Sequence, residues 1–131
     1  MIDRVILITG TRKGLGLFLA QHYLAQGYRV VGCSRSPCDL VADDYEHHCL
    51  DVGDEAAVTD MMGKIRHRHG RLDALINNAG TAAMNHVMLT PGSSLESALR
   101  TNVGGTFLPS REAARLMRGN LGASSSQGNQ P

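Results

Sequence analysis

The chain has no tryptophan, and phenylalanine and tyrosine together make up 4% of its 131 residues. A core must therefore be built mainly from aliphatic side chains and methionine. Lysine is nearly absent, with Lys13 and Lys64 the sole examples, and the formal net charge is +1. Nothing in that balance marks a nucleic-acid partner or an anionic membrane. No apolar run approaches the about 18 residues of a membrane-spanning helix. The opening MIDRVILITG carries an acid and runs straight into a strand pattern, which is not the basic region and long apolar stretch of a secretory signal; a cytosolic location is the expectation. The three cysteines, Cys33, Cys38 and Cys49, are an odd number, and in such a compartment they read as free thiols. The six histidines do not carry metal-site spacing. His67 and His69 fall on different faces of a helix, and His47 and His48 alternate across a strand, so no metal is expected.

What the chain does have is the length for one domain and 42% hydrophobic residues, enough for a closed core. Val5-Ile6-Leu7-Ile8 is a continuous apolar run of the kind buried on both faces of a parallel sheet. Residues 14–26 read as a helix with Leu15, Leu19 and Tyr23 on one face and Gly27 as its stop. Tyr28–Cys33 and His47–Leu50 read as the second and third strands, separated by a polar connector at 36–45. Asp54 is a suitable N-cap for a helix through His69, with Val58, Met61, Met62 and Ile65 as its apolar stripe and Gly70 as its stop. Leu72–Ile76 predicts a fourth strand. Ser93-Ser94-Leu95-Glu96 has capping-box spacing and predicts a helix to about Arg118, with Pro109 inside it removing a hydrogen bond, a cost that a kink near Gly104-Gly105 would partly absorb. Strands alternating with helices imply a parallel sheet with right-handed crossovers and helices on both faces. The domain is expected over 1–118, and residues 119–131 (GNLGASSSQGNQP), with one large apolar residue, as a disordered tail.

Between the first strand and the first helix lies Thr9-Gly10-Thr11-Arg12-Lys13-Gly14-Leu15-Gly16. Gly10 permits a sharp turn off the strand, Gly14 keeps bulk away from a bound pyrophosphate, and Gly16 allows close helix packing. The string lacks the Gly-Lys-Ser/Thr ending of a nucleoside-triphosphate loop, and its spacing differs from plain G-x-G-x-x-G. A dinucleotide site is the expectation, with Gly10, Thr11, Arg12, Lys13, Gly14, Leu15 and Gly16 as its phosphate loop. At the end of the second strand an NAD site carries an acid that accepts from the ribose 2′-OH. This chain has Cys33-Ser34-Arg35 instead, and no acid before Asp39. Ser34 and Arg35, with Arg12 and Lys13, are placed to surround a 2′-phosphate, so NADP(H) is favoured over NAD(H).

The glycine string taken with Asp51, Asn77-Asn78-Ala79-Gly80 and Asn102 resembles the short-chain dehydrogenase/reductase family, and is similar to its 3-oxoacyl-carrier-protein reductases, over residues 4 to about 118. The resemblance implies a three-layer Rossmann-type sheet with strand order 3-2-1-4. It also implies that Asp51 and Val52 hold the adenine edge and that Asn78, Ala79 and Gly80 lie along the adenosine ribose. Asn102 matches the family's catalytic asparagine, whose backbone carbonyl anchors a water; read without the resemblance it is a polar residue beside two glycines. The family's Tyr-x-x-x-Lys pair, acid–base group and its lysine, has no counterpart here: Tyr23, Tyr28 and Tyr45 are not followed by lysine, and Ser124–Ser126 follow no strand pattern. The implied activity is hydride transfer between NADP(H) and a carbonyl or CH–OH carbon, with half of the catalytic set missing, and a family-type homo-oligomer is possible. A non-catalytic dinucleotide-binding module and an inactive gene fragment stay open as alternatives.

Overall fold

The structure, a computed structural model, describes residues 3–81 and 86–128, with side chains through Gly119. Four parallel strands, β1 (Val5–Thr9), β2 (Arg29–Ser34), β3 (Tyr45–Cys49) and β4 (Ala74–Ile76), form one sheet in the order β3-β2-β1-β4. This is the three-layer Rossmann-type order expected from the sequence.

Alternation along β1 divides the core. Val5 and Leu7 point to one face, where Val31, Cys33, Met61, Met62, Ile65, Leu72, Ala113 and Leu116 pack with them. Ile6 and Ile8 point to the other, against Val30 and Ala20. All five residues of β1 are buried, which is why its sequence is apolar without a polar alternation.

Helix α1 (Gly14–Ala25) covers the second face. Its buried residues are Gly16 and Ala20, with Leu19 and Tyr23 half-buried beside them and Leu15 63% exposed. The expected Leu15-Leu19-Tyr23 stripe is thus rotated. Two small residues four apart let the helix backbone approach closely, so the contact line centres on them and Leu15 is left outside.

Helix α2 (Glu55–His69) forms as the sequence predicts. Asp54 accepts the Ala57 N–H at 3.2 Å, and Gly70 ends the helix in the left-handed region at φ 72°. Its buried residues are Val58, Met61, Met62 and Ile65.

The capping box expected at Ser93–Glu96 does not form. Helix α3 (Gly92–Leu99) starts earlier, on Pro91, which has φ −72° and ψ 154° and whose carbonyl accepts the Ser94 N–H at 3.0 Å. Proline's fixed φ suits the start of a helix, and it sets the boundary ahead of Ser93. After α3 the backbone widens into a π turn, Arg100–Gly104, and continues as α4 (Gly105–Gly128). The wide turn lies directly ahead of the carbonyl, that of Gly105, which Pro109 cannot reach with an N–H; this is the distortion foreseen at Gly104-Gly105. The helix also runs ten residues beyond Arg118, across much of the segment expected to be disordered. Once a helix is nucleated, each added residue closes a hydrogen bond without a new nucleation cost, and an internal glycine weakens it without ending it. Residues 129–131 of the expected tail lie outside the described residues.

Asp73, just ahead of β4, ties that strand to β1 by accepting the Val5 N–H at 2.8 Å, and it also accepts from two guanidinium nitrogens of Arg71, Nε at 2.9 Å and Nη2 at 2.6 Å. The Arg71 hydrogen bonds hold the Asp73 carboxyl below the usual carboxylate range. A depressed folded-state pKa contributes stability that is present above the unfolded value and is lost as pH falls through the folded one. Asp73→Asn is therefore expected to cost about 1–2 kcal/mol at neutral pH. The difference from the parent should begin to shrink as pH falls through about 4, the ordinary aspartate range, and vanish only below the depressed folded-state value. Urea unfolding of both proteins at several pH values measures it.

Candidate functional site

The carboxyl ends of the four strands meet a cleft of about 520 Å³ lined by Gly10, Arg12, Lys13, Gly14, Ser34, Arg35, Ser36, Leu50, Val52, Asn78, Ala79, Gly80, Thr81 and Thr101. In open α/β sheets this is where ligands bind. β1 ends at Thr9, and Gly10 and Gly14 take φ values of 75° and 61°, so the loop between them doubles back over the strand end into α1. The Gly10 N–H donates to the Cys33 carbonyl at 2.8 Å, which ties the loop to β2. The N-cap of α1 is Lys13, which makes no side-chain capping bond, so the helix meets the cleft with its backbone donors uncovered by a side chain.

The other wall is held by Thr9. Its Oγ1 accepts the Asn78 N–H at 3.0 Å and the Ala79 N–H at 2.9 Å, and Asn78 Nδ2 donates to the Gly10 carbonyl at 3.1 Å. The Asn-Asn-Ala-Gly segment and the glycine loop are thereby one hydrogen-bonded unit. Gly16 belongs to it: a methyl there would meet the Gly10 backbone and, at 2.6 Å, Asn78 Nδ2. Its need for smallness comes from this loop more than from the sheet.

Of the expected site residues, Gly10, Arg12, Lys13, Gly14, Ser34, Arg35, Val52, Asn78, Ala79 and Gly80 line the cleft. Five do not. Thr11 is buried and bonds Tyr45 Oη at 2.8 Å, Leu15 faces solvent, and Gly16 is packed under the loop. Asp51 accepts the Gly53 N–H at 2.9 Å, and its second oxygen lies 3.9 Å from Arg35 and 3.6 Å from Arg100. These ion pairs border a neighbouring groove lined by Arg35, Asp51, Ser93, Glu96, Ser97 and Arg100. Asn102 sits in the π turn, and its side chain joins that turn to Thr81: Oδ1 accepts the Thr81 N–H and Nδ2 donates to the Thr81 carbonyl, both at 2.8 Å. Its own carbonyl accepts the Thr106 hydroxyl at 2.9 Å.

Sequence reasoning missed Ser36, Leu50, Thr81 and Thr101 on the cleft wall. Thr101 accepts from Arg35 Nη2 at 3.2 Å, across 66 residues of chain. Ser36, Leu50, Thr81 and Thr101 each adjoin a residue that was recognised (Arg35, Asp51, Gly80 and Asn102), so extending the motifs by one residue finds them.

The histidines take separate partners. His48 and His69 both place Nε2 2.9 Å from the Glu46 carboxylate, joined there by Arg68, while His47 faces Tyr45 and Ser34. Burial pushes the Cys33 thiol up to about 12, so it stays protonated and unreactive.

A parallel doubly wound sheet, a glycine loop folding back over the first strand and an open cleft at the strand ends are the features of a Rossmann-type dinucleotide-binding domain. The chain belongs to the short chain dehydrogenase family, whose model matches residues 4–129. It is 34% identical over 116 residues to an uncharacterized oxidoreductase of Schizosaccharomyces pombe, covering 86% of this chain and 39% of that one. It is 28% identical over 120 residues to the Escherichia coli 3-oxoacyl-(acyl-carrier-protein) reductase FabG, covering 87% of this chain and 49% of that one. The solved structure of ElxO with NADPH bound superposes with a TM-score of 0.81 at 29% identity, over 88% of this chain and 51% of that one. The chain thus spans half or less of the length of these curated relatives. Among the described residues no helix is long and apolar enough to cross a membrane.

The residues of the cleft fit a dinucleotide phosphate. Two glycines in the left-handed region present bare backbone, and Arg12, Lys13 and Arg35 supply the cationic charge around the same cleft.

Proposed function

We propose that this chain is the cofactor-binding part of an NADP(H)-dependent short-chain oxidoreductase acting on a carbonyl or CH–OH group. The observation that carries the cofactor choice is that Ser34, Arg35 and Ser36 line one cleft with Arg12. Among the described residues no carboxylate lines that cleft to accept from a ribose 2′-hydroxyl, and the neighbouring Asp51 is turned towards Arg35 and Arg100. The NADPH-bound relative adds support.

When bound, NADP(H) supplies the hydride. Gly10, Gly14 and the first turn of α1 hold the pyrophosphate through backbone N–H groups. Arg12, Lys13, Ser34 and Arg35 hold the 2′-phosphate, Val52 bounds the adenine with Asp51 behind it, and Asn78, Ala79 and Gly80 lie along the ribose. Leu15 and Gly16 shape the loop, and Thr11 anchors it from beneath. Asn102 fixes the backbone at Thr81 and offers its carbonyl to a water at the catalytic end. The acid that protonates the substrate oxygen in such enzymes is a tyrosine paired with lysine, and the 131 residues contain no Tyr-x-x-x-Lys. General acid catalysis contributes about 10²- to 10⁴-fold, so this chain by itself should bind the cofactor without appreciable carbonyl reduction.

Calorimetric titration with NADPH and NADH tests the reading. NADPH is expected to bind at least about tenfold tighter. Arg35→Ala should weaken NADPH by about 10- to 100-fold, as charge-assisted hydrogen bonds of about 1.5–3 kcal/mol are lost, and leave NADH nearly unchanged. Tighter binding of NADH, or an Arg35→Ala variant that keeps its NADPH affinity, overturns it.

A further inference from the structure

The wall that faces the 2′ position is supported from behind by a hydrogen-bonded chain that begins in the glycine loop. On β3, Tyr45 and His47 share the face towards α1. The facing position on β2, in register with His47, is Gly32. A methyl at Gly32 would run into both Thr11 Oγ1 and Tyr45 Oη, so β2 is hollowed where these side chains meet. Thr11 and Tyr45 are 2.8 Å apart, Tyr45 Oη and His47 Nδ1 2.7 Å, and His47 Nε2 and Ser34 Oγ 2.8 Å.

Donor accounting gives the chain a direction. The Ser34 hydroxyl donates to the Ser36 carbonyl at 2.5 Å. His47 Nε2 faces two oxygens, Ser34 Oγ and, at 3.3 Å, the Ser36 carbonyl, so the ring proton belongs on Nε2. Nδ1 is then the acceptor of the Tyr45 hydroxyl, and the Tyr45 oxygen accepts from Thr11. Thr11, Tyr45 and His47 donate in sequence towards Ser34 and Ser36, the residues on either side of Arg35. A neutral imidazole is what this requires, and burial lowers the His47 pKa accordingly.

We propose that His47 is a positioning residue for cofactor discrimination: by holding both ends of the Ser34–Ser36 turn it sets Arg35 for a 2′-phosphate. Arg35 and Ser36 are exposed, and without that support the turn would have to be ordered when the phosphate arrives, an entropic cost charged to the 2′-phosphate alone. The proposal rests on the NADP(H) reading above.

The test compares adenosine 2′,5′-bisphosphate with 5′-AMP on the full chain by calorimetry, two ligands that differ by the phosphate at issue. The parent should bind the bisphosphate at least about tenfold tighter. His47→Ala should reduce that ratio by about five- to tenfold, with 5′-AMP affinity within about twofold of the parent. His47→Gln, whose amide can still donate to Ser34 and Ser36, should recover most of the ratio. Should His47→Ala not fold, Tyr45→Phe removes the donor to Nδ1 without altering the cleft wall and should lower the ratio by about two- to threefold. Equal weakening of both ligands, an unchanged ratio, or a His47→Gln variant no better than His47→Ala would overturn the role of His47 and leave the NADP(H) reading standing. A parent that does not prefer the bisphosphate overturns both.

Discussion

Gly16→Ala is expected to abolish measurable dinucleotide binding and to lower the melting temperature by about 10 °C. The added methyl has nowhere to go. It would overlap the Gly10 carbonyl and lie 2.6 Å from Asn78 Nδ2, and that amide is itself fixed by donating to the Gly10 carbonyl at 3.1 Å. Backbone cannot rotate away as a flexible side-chain tip can, so α1 must lift from the loop. Overpacking of this kind costs about 3 kcal/mol, the upper part of its usual range, and each kcal/mol is worth about 3–5 °C in a chain of this length. Binding suffers more than stability, because the loop that moves is the one whose backbone donors face the cleft. Gly14 provides the control. A methyl there meets nothing within 4 Å, but its φ of 61° is left-handed, so Gly14→Ala should cost about 1–2 kcal/mol by strain alone. Thermal melts and calorimetry on both variants distinguish a packing requirement from a conformational one. A Gly16→Ala protein melting within about 2 °C of the parent would show that the loop and helix are not as tightly joined as their geometry requires.

The parts of this fold that were legible in the sequence are those fixed by local rules. Val5–Ile8 reads as a doubly covered strand because burial on both faces removes polar alternation, and α2 reads cleanly because Asp54, its apolar stripe and Gly70 each act within a few residues. β3 is harder. Its Tyr-Glu-His-His-Cys sequence is polar, and its start at Tyr45 is set by pairing with Val30 on β2. Ser93–Glu96 matched a capping pattern that Pro91 pre-empted. In the site, the motifs located most of the cleft wall, because each motif is a stretch of backbone with its own turn chemistry. Thr11 was legible as part of the loop but not as a residue facing inward, since its partner Tyr45 is 34 residues away. The alternation of His47 and His48 could be read from strand periodicity. That His47 would meet Ser34 depends on the register of β3 against β2, and that Arg68 and His69 would join His48 at Glu46 depends on the end of α2, neither of which a local pattern encodes.

Thr9→Val should be the second most damaging single change, although it preserves shape and favours a strand. β1 and β4 pair through Ile6 with Ala74, Leu7 with Leu75 and Ile8 with Ile76, and there the ladder ends. Just beyond it, the N–H groups of Asn78 and Ala79 are both taken by Thr9 Oγ1, at 3.0 and 2.9 Å. Thr9 is 1% exposed, so water cannot replace its oxygen. Valine leaves two part-buried donors without their acceptor, at about 1–3 kcal/mol each, and a loss of about 3 kcal/mol in urea unfolding with an unchanged slope is expected. The effect should reach the cleft, since Asn78 holds the Gly10 carbonyl and Ala79 lines the wall. Thr9→Ser isolates the cause. It keeps the oxygen and gives up a buried methyl, so it should lose only about 1 kcal/mol and retain cofactor binding. Should Thr9→Ser fall while Thr9→Val, which keeps the methyl, stays near the parent, methyl packing, and not the two hydrogen bonds, would be what joins the Asn-Asn-Ala-Gly segment to the glycine loop. The opposite order would mean that a single hydroxyl at the end of β1 holds the two halves of the cofactor cleft in register.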